Sequence, residues 1–121
     1  MNSQKLPDAE LELMRAVWAR GGEVSTPMLA ADLGGKWTLQ TILTFLNRLE
    51  AKGFVSGQKR GKERLFTALV SQEEYVKFES ELFLKTFHKN SVAGMVRSLY
   101  GGKKLNDDEA EELRKWLDER E

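Results

Sequence analysis

A cluster of basic side chains lies in the middle of the chain, around a single glycine. It consists of Lys59, Arg60, Lys62 and Arg64, with Gly61 inside it and Glu63 as its one acid. A short loop of this charge can approach a phosphate backbone closely and neutralise it. A solvated hairpin tip is the alternative for this composition. We predict that the four bases contact phosphate groups.

The segment before this cluster carries side chains that suit base edges. Projection at about 100° per residue places an apolar stripe on one side of the segment from Thr38 to Lys52. The stripe contains Ile42, Phe45, Leu46 and Leu49, and the opposite face contains Gln40, Leu43, Thr44, Asn47 and Ala51. Amides, hydroxyls and an exposed leucine suit base edges, whereas a solvated helix face usually carries Glu and Lys. An uncharged surface face is the alternative, and the adjacent cationic loop favours recognition of nucleic acid.

The sequence contains no arrangement of residues that is typical of a catalytic or metal site. It has no cysteine, which excludes disulfides, thiol nucleophiles and thiolate metal sites. His88 is the only histidine, and we interpret it as a helix C-terminal residue that interacts favourably with the helix dipole. The acidic run at 107–112 lacks the glycine and the spacing of a calcium loop. We therefore expect no enzymatic activity, no cofactor and no metal.

Charge is segregated along a chain whose formal net charge is zero. Seven basic residues and only two acidic ones lie between Lys36 and Arg64, whereas Asp107 begins a dense acidic cluster. The central segment is therefore expected to attract polyanions. No apolar stretch approaches the roughly 20 residues needed to cross a bilayer, and no signal region follows the N-terminus, so we expect a cytoplasmic protein without membrane insertion.

Three helices are predicted to position the candidate residues. The first begins near Pro7 and ends at Gly21, because proline suits the opening turn of a helix and glycine suits its end. The second is short and begins at Thr26, whose hydroxyl is expected to cap it. The third runs from a cap at Thr38 to about Lys52.

Two strands follow the third helix. They are predicted at 54–59 and 64–70, with 60–63 as the turn between them. The order of helix, short helix, helix and basic hairpin is that of a winged helix-turn-helix, whose third helix enters the major groove of DNA. We predict a mainly α fold with a winged-helix DNA-binding domain at 1–70.

Residues 71–121 are predicted to form a helical dimerisation region. Ser71 and Glu74 match a capping box that opens an aromatic helix running toward His88. Short helices with this much apolar surface are marginal without a partner, although packing back onto the winged domain is the alternative. The residues predicted for the dimer interface are Tyr75, Phe78, Leu82, Phe83, Val92, Met95, Val96, Leu99, Leu113, Trp116 and Leu117.

Over nearly its full length the chain resembles the BlaI/MecI penicillinase-repressor family of bacterial winged-helix regulators. The segments that carry the resemblance are Leu6–Met14 with Val17-Trp18, Trp37–Ile42, Asn47–Leu49 and Lys52–Val55. The resemblance implies a homodimeric repressor on a palindromic double-stranded DNA operator, with the C-terminal helices as the dimer module. It also implies matched recognition-helix positions for Trp37, Thr38, Thr41, Thr44 and Arg48.

The sequence departs from the family pattern in places that bear on function. Gln40 and Leu43 stand where close relatives carry a basic residue, so their operator sequence is not transferred to this chain. The resemblance implies a regulatory protease as a partner, and Ser98-Leu99 stands where β-lactam-responsive members carry an Asn-Phe cleavage pair. The cysteine-rich motif of the copper-responsive branch is missing. A protein-interaction module without sequence-specific DNA binding is the alternative function.

Overall fold

The computed structural model describes residues 4–100 and 105–120. The chain divides into two compact units, Met1–Glu79 and Ser80–Glu121, and the boundary lies inside a helix. The functional division at Ser71 stays a prediction.

Unit 1 has the predicted winged-helix architecture, with three helices followed by a two-stranded antiparallel hairpin. Its elements are α1 (Asp8–Arg20), α2 (Thr26–Asp32), α3 (Leu39–Ala51), β1 (Val55–Arg60), β2 (Glu63–Ala68) and the first part of α4 (Gln72–His88).

Side-chain caps fix the starts of three helices. The Thr38 hydroxyl accepts a hydrogen bond from the Thr41 amide at 3.1 Å, which confirms the predicted start of α3. Ser71 and Glu74 form the predicted reciprocal capping box at the start of α4. The prediction of Thr26 as the cap of α2 is wrong: the cap is Ser25, whose hydroxyl accepts from the Met28 amide. Thr26 and Pro27 instead occupy the first helical turn, where a backbone N–H has no partner within the helix and proline, which lacks this group, is therefore tolerated.

The core of unit 1 lies between the three helices and the inner side of the hairpin. Its fully buried apolar side chains are Leu13, Met14, Val17, Val24, Leu29, Ile42, Leu46, Leu49, Phe54, Val55 and Phe66. Burial of each such side chain stabilises the fold by roughly 1.5–3 kcal/mol, which fixes how α3 faces the core. Leu43 was expected to be exposed, but it is half-buried and packs against this core.

The hairpin β1–β2, called the wing below, has a shorter turn than predicted. Its register pairs Val55 with Ala68 and Arg60 with Glu63, so only residues 61 and 62 connect the strands. Gly61 has a φ of 65°, the left-handed value that glycine adopts most easily at the first central position of such a turn. Backbone hydrogen bonds of 2.8 and 2.9 Å between Val24 and Phe66 attach the wing to the segment between α1 and α2.

The first part of α4 docks on unit 1 through Tyr75. Its side chain is only 3% exposed, and its hydroxyl accepts a hydrogen bond of 2.8 Å from the Leu6 amide. Its ring contacts Trp18 and Phe54, and the Trp18 indole donates to the Val70 carbonyl at 2.8 Å. Burial raises the pKa of Tyr75 to about 12, and its hydrogen bond with Glu79 acts in the same direction.

Unit 2 contains the rest of α4, then α5 (Val92–Tyr100) and α6 (Asp107–Asp118). The Asn106 side chain caps α6 by accepting from the Glu109 amide at 2.8 Å. The Tyr100 hydroxyl donates to the Glu109 carboxylate, which raises the pKa of Tyr100. Among the described residues, none of the helices is both long and apolar enough to cross a membrane.

Candidate nucleic-acid interface

The outer face of α3 presents polar side chains, as the sequence predicts. Gln40, Asn47 and Arg48 are exposed, whereas Thr41 and Thr44 are half-buried. The Thr44 hydroxyl donates to the Gln40 carbonyl at 3.0 Å, and the Thr41 hydroxyl accepts from Thr38 at 3.0 Å. The two amides therefore carry more free hydrogen-bonding capacity than the threonines do.

A groove runs between the start of α2, the outer face of α3 and the wing. Its volume is about 580 Å³. Five of the predicted DNA-binding residues line it, together with Thr26, Pro27 and Glu63; the five are Leu43, Asn47, Arg60, Lys62 and Arg64. The fold thus brings residues from the third helix and from the basic loop to one surface.

Ion pairs neutralise part of the basic segment. Arg60 pairs with Glu23 at 2.8 Å, Lys36 with Glu12 at 2.8 Å and Lys52 with the buried Glu10 at 2.5 Å. Lys59 and Lys62 are exposed, and neither forms an ion pair with another residue in the ranges the structure describes. The wing therefore carries two exposed lysines whose charge no described acidic residue neutralises.

Arg64, which the sequence predicts as a phosphate ligand, is held against α3 by its partners, and a phosphate contact for it stays a prediction. It donates to the Glu50 carboxylate at 2.6 Å and to the Asn47 side-chain oxygen at 3.1 Å, and it lies over the Phe66 ring at 4.9 Å. The physical reason is that Glu50 projects from α3 toward β2 and forms a charge-assisted bond with it. Arg64 thus connects the wing to α3.

Arg48 is positioned by aromatic packing. Its guanidinium lies 5.7 Å from the centre of the Phe45 ring, and Phe45 meets Trp37 edge to face at 5.2 Å. Cation–π contact of this kind holds an arginine without neutralising its charge. Among the described residues Arg48 has no acidic partner, so its charge is available at the surface.

Comparison with known proteins identifies the family. The family model described as penicillinase repressor matches residues 6–119. The chain belongs to this family. The penicillinase repressor of Bacillus licheniformis is 29% identical over 117 residues, which cover 95% of this chain and 91% of the relative. The methicillin resistance regulatory protein MecI of Staphylococcus aureus (strain N315) is 26% identical, over 96% of this chain and 95% of the relative.

Solved structures agree with the winged-helix fold of this penicillinase repressor family member. The DNA-binding domain of the repressor BlaI matches with a TM-score of 0.51 and 30% identity, over 59% of this chain and 88% of that domain. Reduced MarR from E. coli matches in fold, with a TM-score of 0.50 and 16% identity, over 93% of this chain and 76% of that chain. The protein is thus a winged-helix member of a family of DNA-binding transcriptional repressors.

The residues predicted for the family's dimer module fall into three groups by burial. The prediction of Tyr75 as an interface residue is wrong, because its side chain is buried in unit 1 and has no surface to offer a second copy. Phe78 packs against the same core. Leu82, Met95 and Val96 are half-buried. The exposed members are Phe83, Val92, Leu99, Leu113, Trp116 and Leu117.

Several residues of the interface were missed from the sequence. From the sequence, Glu50 counts only as an acid against the basic charge of its segment and no role is predicted for Glu23, yet each pairs with an arginine of the wing. An acidic residue within a basic segment, one helical turn after Asn47, is the signal that could have identified Glu50.

In unit 2, Phe87 is exposed and lies 5.0 Å from Phe83 between ring centres. Ser98 and Leu99 are exposed on α5, and a protease partner stays a prediction.

Proposed function

We propose that this protein is a homodimeric transcriptional repressor that binds a palindromic double-stranded DNA operator. In this proposal α3 enters the major groove, where Gln40 and Asn47 contact base edges, and the wing lies on the phosphate backbone. The observation that carries the proposal is the groove that unites the outer face of α3 with the cationic wing. Exposed amides beside unpaired cations suit a surface that reads bases and binds phosphates.

Three free cations support the phosphate part of the proposal. Arg48, Lys59 and Lys62 are exposed without an ion-pair partner among the described residues. When these cations bind phosphates, DNA releases its condensed counterions, and this release would make the binding affinity strongly dependent on salt.

Unit 2 supports the dimeric part of the proposal. The side chain of Leu99 is 69% exposed and that of Trp116 is 53% exposed. Large apolar side chains that are this accessible on short helices favour a partner surface. A twofold dimer would place two copies of α3 about 34 Å apart, one helical turn of DNA. Recognition by two such helices requires an operator with matching half-sites.

A binding experiment tests the proposal. A fluorescent duplex that carries the upstream region of the protein's own gene is titrated with the full chain, alongside a scrambled duplex of equal length. We expect the upstream duplex to bind at least tenfold more tightly, with an affinity that falls steeply as salt rises. The variant Lys77→Ala removes an exposed lysine from α4 and serves as a control that should bind like the unaltered chain. Equal affinity for both duplexes at every salt concentration would contradict sequence-specific repression.

A further inference from the structure

A hydrogen-bond network joins the recognition helix to the wing at one point of the groove. The guanidinium of Arg64 donates one nitrogen to the Asn47 oxygen at 3.1 Å and another to Glu50 Oε1 at 2.6 Å. The second oxygen of Glu50 accepts from the Gly57 amide in β1 at 2.9 Å. Glu50 therefore holds both strands of the wing, and Arg64 bonds to two residues of α3 at once.

Gly57 gives the Arg64 side chain the space it needs. A Cβ atom at position 57 would lie 2.8 Å from the Arg64 guanidinium, closer than carbon and nitrogen atoms approach each other. The guanidinium thus lies directly against the backbone of β1 and is restrained on that side. A long side chain held by this many partners loses little further freedom when DNA binds.

The network fixes the orientation of the Asn47 amide. Arginine is a donor only, so the Asn47 atom that faces it must be the oxygen, and the NH₂ group is the part left free to bind a ligand. Asn47 is exposed and lines the groove. Together the amide NH₂ and the neighbouring guanidinium present adjacent donors, and the amide oxygen is already engaged.

We infer that Asn47, oriented by Arg64 and Glu50, selects guanine at one position of each half-site, an inference that rests on the proposed function. Guanine offers two adjacent acceptors, N7 and O6, in the major groove. Adenine presents an amino donor beside its N7, and that donor would have to compete for the engaged oxygen of Asn47 close to a positive charge. Cytosine presents an amino donor, which cannot form a hydrogen bond with the Asn47 NH₂ group or the Arg64 guanidinium, because both are donors as well. Arg64 and Glu50 are positioning residues, and Asn47 is the specificity-determining residue.

The test measures base preference position by position. A set of duplexes based on the preferred upstream site, each with one base pair changed, is bound by the full chain and by variants. The expected result is one position at which guanine is preferred roughly three- to tenfold over adenine, and at which Asn47→Ala removes the preference. The isosteric Asn47→Asp keeps the bond to Arg64 but replaces the donors with an acceptor, so its preference at that position should move to cytosine.

Arg64→Lys separates positioning from charge. Lysine keeps the positive charge and can pair with Glu50, but it lacks the fork that reaches Glu50 and Asn47 together. We expect Arg64→Lys to reduce the guanine preference at the Asn47 position at least threefold. Lys59→Ala serves as the contrast, because removal of a phosphate ligand weakens binding to all sequences alike. A thermal melt of each variant checks that it is folded.

The outcomes distinguish this inference from the proposed function. If no duplex shows any base preference, both are overturned. If base preferences exist but Asn47→Ala changes none of them, or changes a preference for a base other than guanine, only the inference is overturned. A full guanine preference in Arg64→Lys would also overturn it, because the network would then have no role in reading.

Discussion

At the scale of single residues, the effective charge of the wing depends on which bases already have acidic partners. Arg60 and Arg64 hold Glu23 and Glu50, whereas Lys59 and Lys62 hold no acid in the part of the chain that the structure describes. An arginine that must leave a carboxylate to reach a phosphate gains less than a lysine that is free. The two lysines should therefore dominate the binding of the wing to the DNA backbone.

The double variant Lys59→Ala with Lys62→Ala tests this ranking. We expect it to weaken binding to upstream and scrambled duplexes by the same factor, because phosphate binding carries no sequence information. The slope of log affinity against log salt should become shallower by about 0.9 for each phosphate that the variant no longer neutralises. Fluorescence anisotropy at several salt concentrations measures both quantities.

The matched control for this pair is Lys77→Ala on α4, which removes an exposed lysine from outside the groove. An unchanged salt slope in the double variant, or a weakening confined to the upstream duplex, would assign phosphate binding to other residues.

Residue-scale roles could be predicted from the sequence where they depend on local spacing. The Thr38 cap and the Ser71–Glu74 capping box involve residues three positions apart, and both are confirmed. The role of Arg64 depends on Glu50, which is 14 residues away in sequence and becomes a neighbour only when the wing folds against α3. Spacing along the chain carries no signal for such a pair.

At the scale of elements, the stability of α3 depends on how the helix begins. Its cap at Thr38 satisfies the Thr41 amide, which has no partner within the helix. We expect Thr38→Ala to lower the free energy of unfolding by about 1 kcal/mol, measured by denaturant titration of the protein without DNA. Thr38→Ser keeps the capping oxygen and should restore most of this stability. Equal stability of the alanine and serine variants would show that the cap contributes nothing.

The packing of the first part of α4 within unit 1 depends on the buried hydroxyl of Tyr75. In Tyr75→Phe the Leu6 amide has no acceptor, and we expect the free energy of unfolding to fall by roughly 1–3 kcal/mol at neutral pH. Thermal or denaturant unfolding measures the difference. Tyr75→Phe keeps the ring contacts with Trp18 and Phe54, so a decrease in this range reports on the hydrogen bonds of the hydroxyl with Leu6 and Glu79 rather than on packing.

Tyr75 also predicts how stability changes at alkaline pH. The folded chain raises the pKa of Tyr75 from 10.0 to about 12, so the unfolded chain loses this proton first as the pH rises. The contribution is fully present below pH 10 and is lost as the pH rises from about 10 to 12, at up to about 1.4 kcal/mol per pH unit. The stability difference between the original chain and Tyr75→Phe should therefore shrink across this range. A constant difference from pH 9 to 12 would contradict the raised pKa.

Elements could be predicted well from the sequence where glycine, proline and apolar periodicity agree, and less well elsewhere. The three helices of unit 1 and the hairpin lie close to their predicted positions. The wing turn is shorter than expected, because Arg60 and Glu63 pair across the strands and a polar composition alone does not reveal that register. The sequence predicts Tyr75 for a partner surface because Tyr75, Phe78 and Leu82 follow one another at helical spacing. Only tertiary packing shows that it belongs to the core of unit 1.

At the scale of the whole molecule, packing within one chain does not explain the exposed apolar side chains of unit 2. Leu99, Trp116 and Leu117 are exposed, and every described residue of α6 except Ala110 is exposed as well. Apolar side chains in such numbers on short helices support the proposal that a second copy covers this surface. Composition could predict the need for a partner but could not say which of these side chains it contacts.

Charge substitution on α6 tests this surface. Trp116→Glu places a carboxylate in the proposed interface, where burial without a partner is costly, so we expect the dimer to dissociate into monomers in sedimentation velocity at micromolar concentration. Lys115→Glu changes the charge on the side of the helix opposite the stripe of Leu113, Trp116 and Leu117, and it should leave the dimer intact. Dissociation should also weaken operator binding while the affinity for a single half-site stays unchanged, because the two copies of α3 no longer act together. If the unaltered chain sediments as a dimer and Trp116→Glu sediments in the same way, α6 is not part of the interface. An unaltered chain that sediments as a monomer would contradict the proposed dimer.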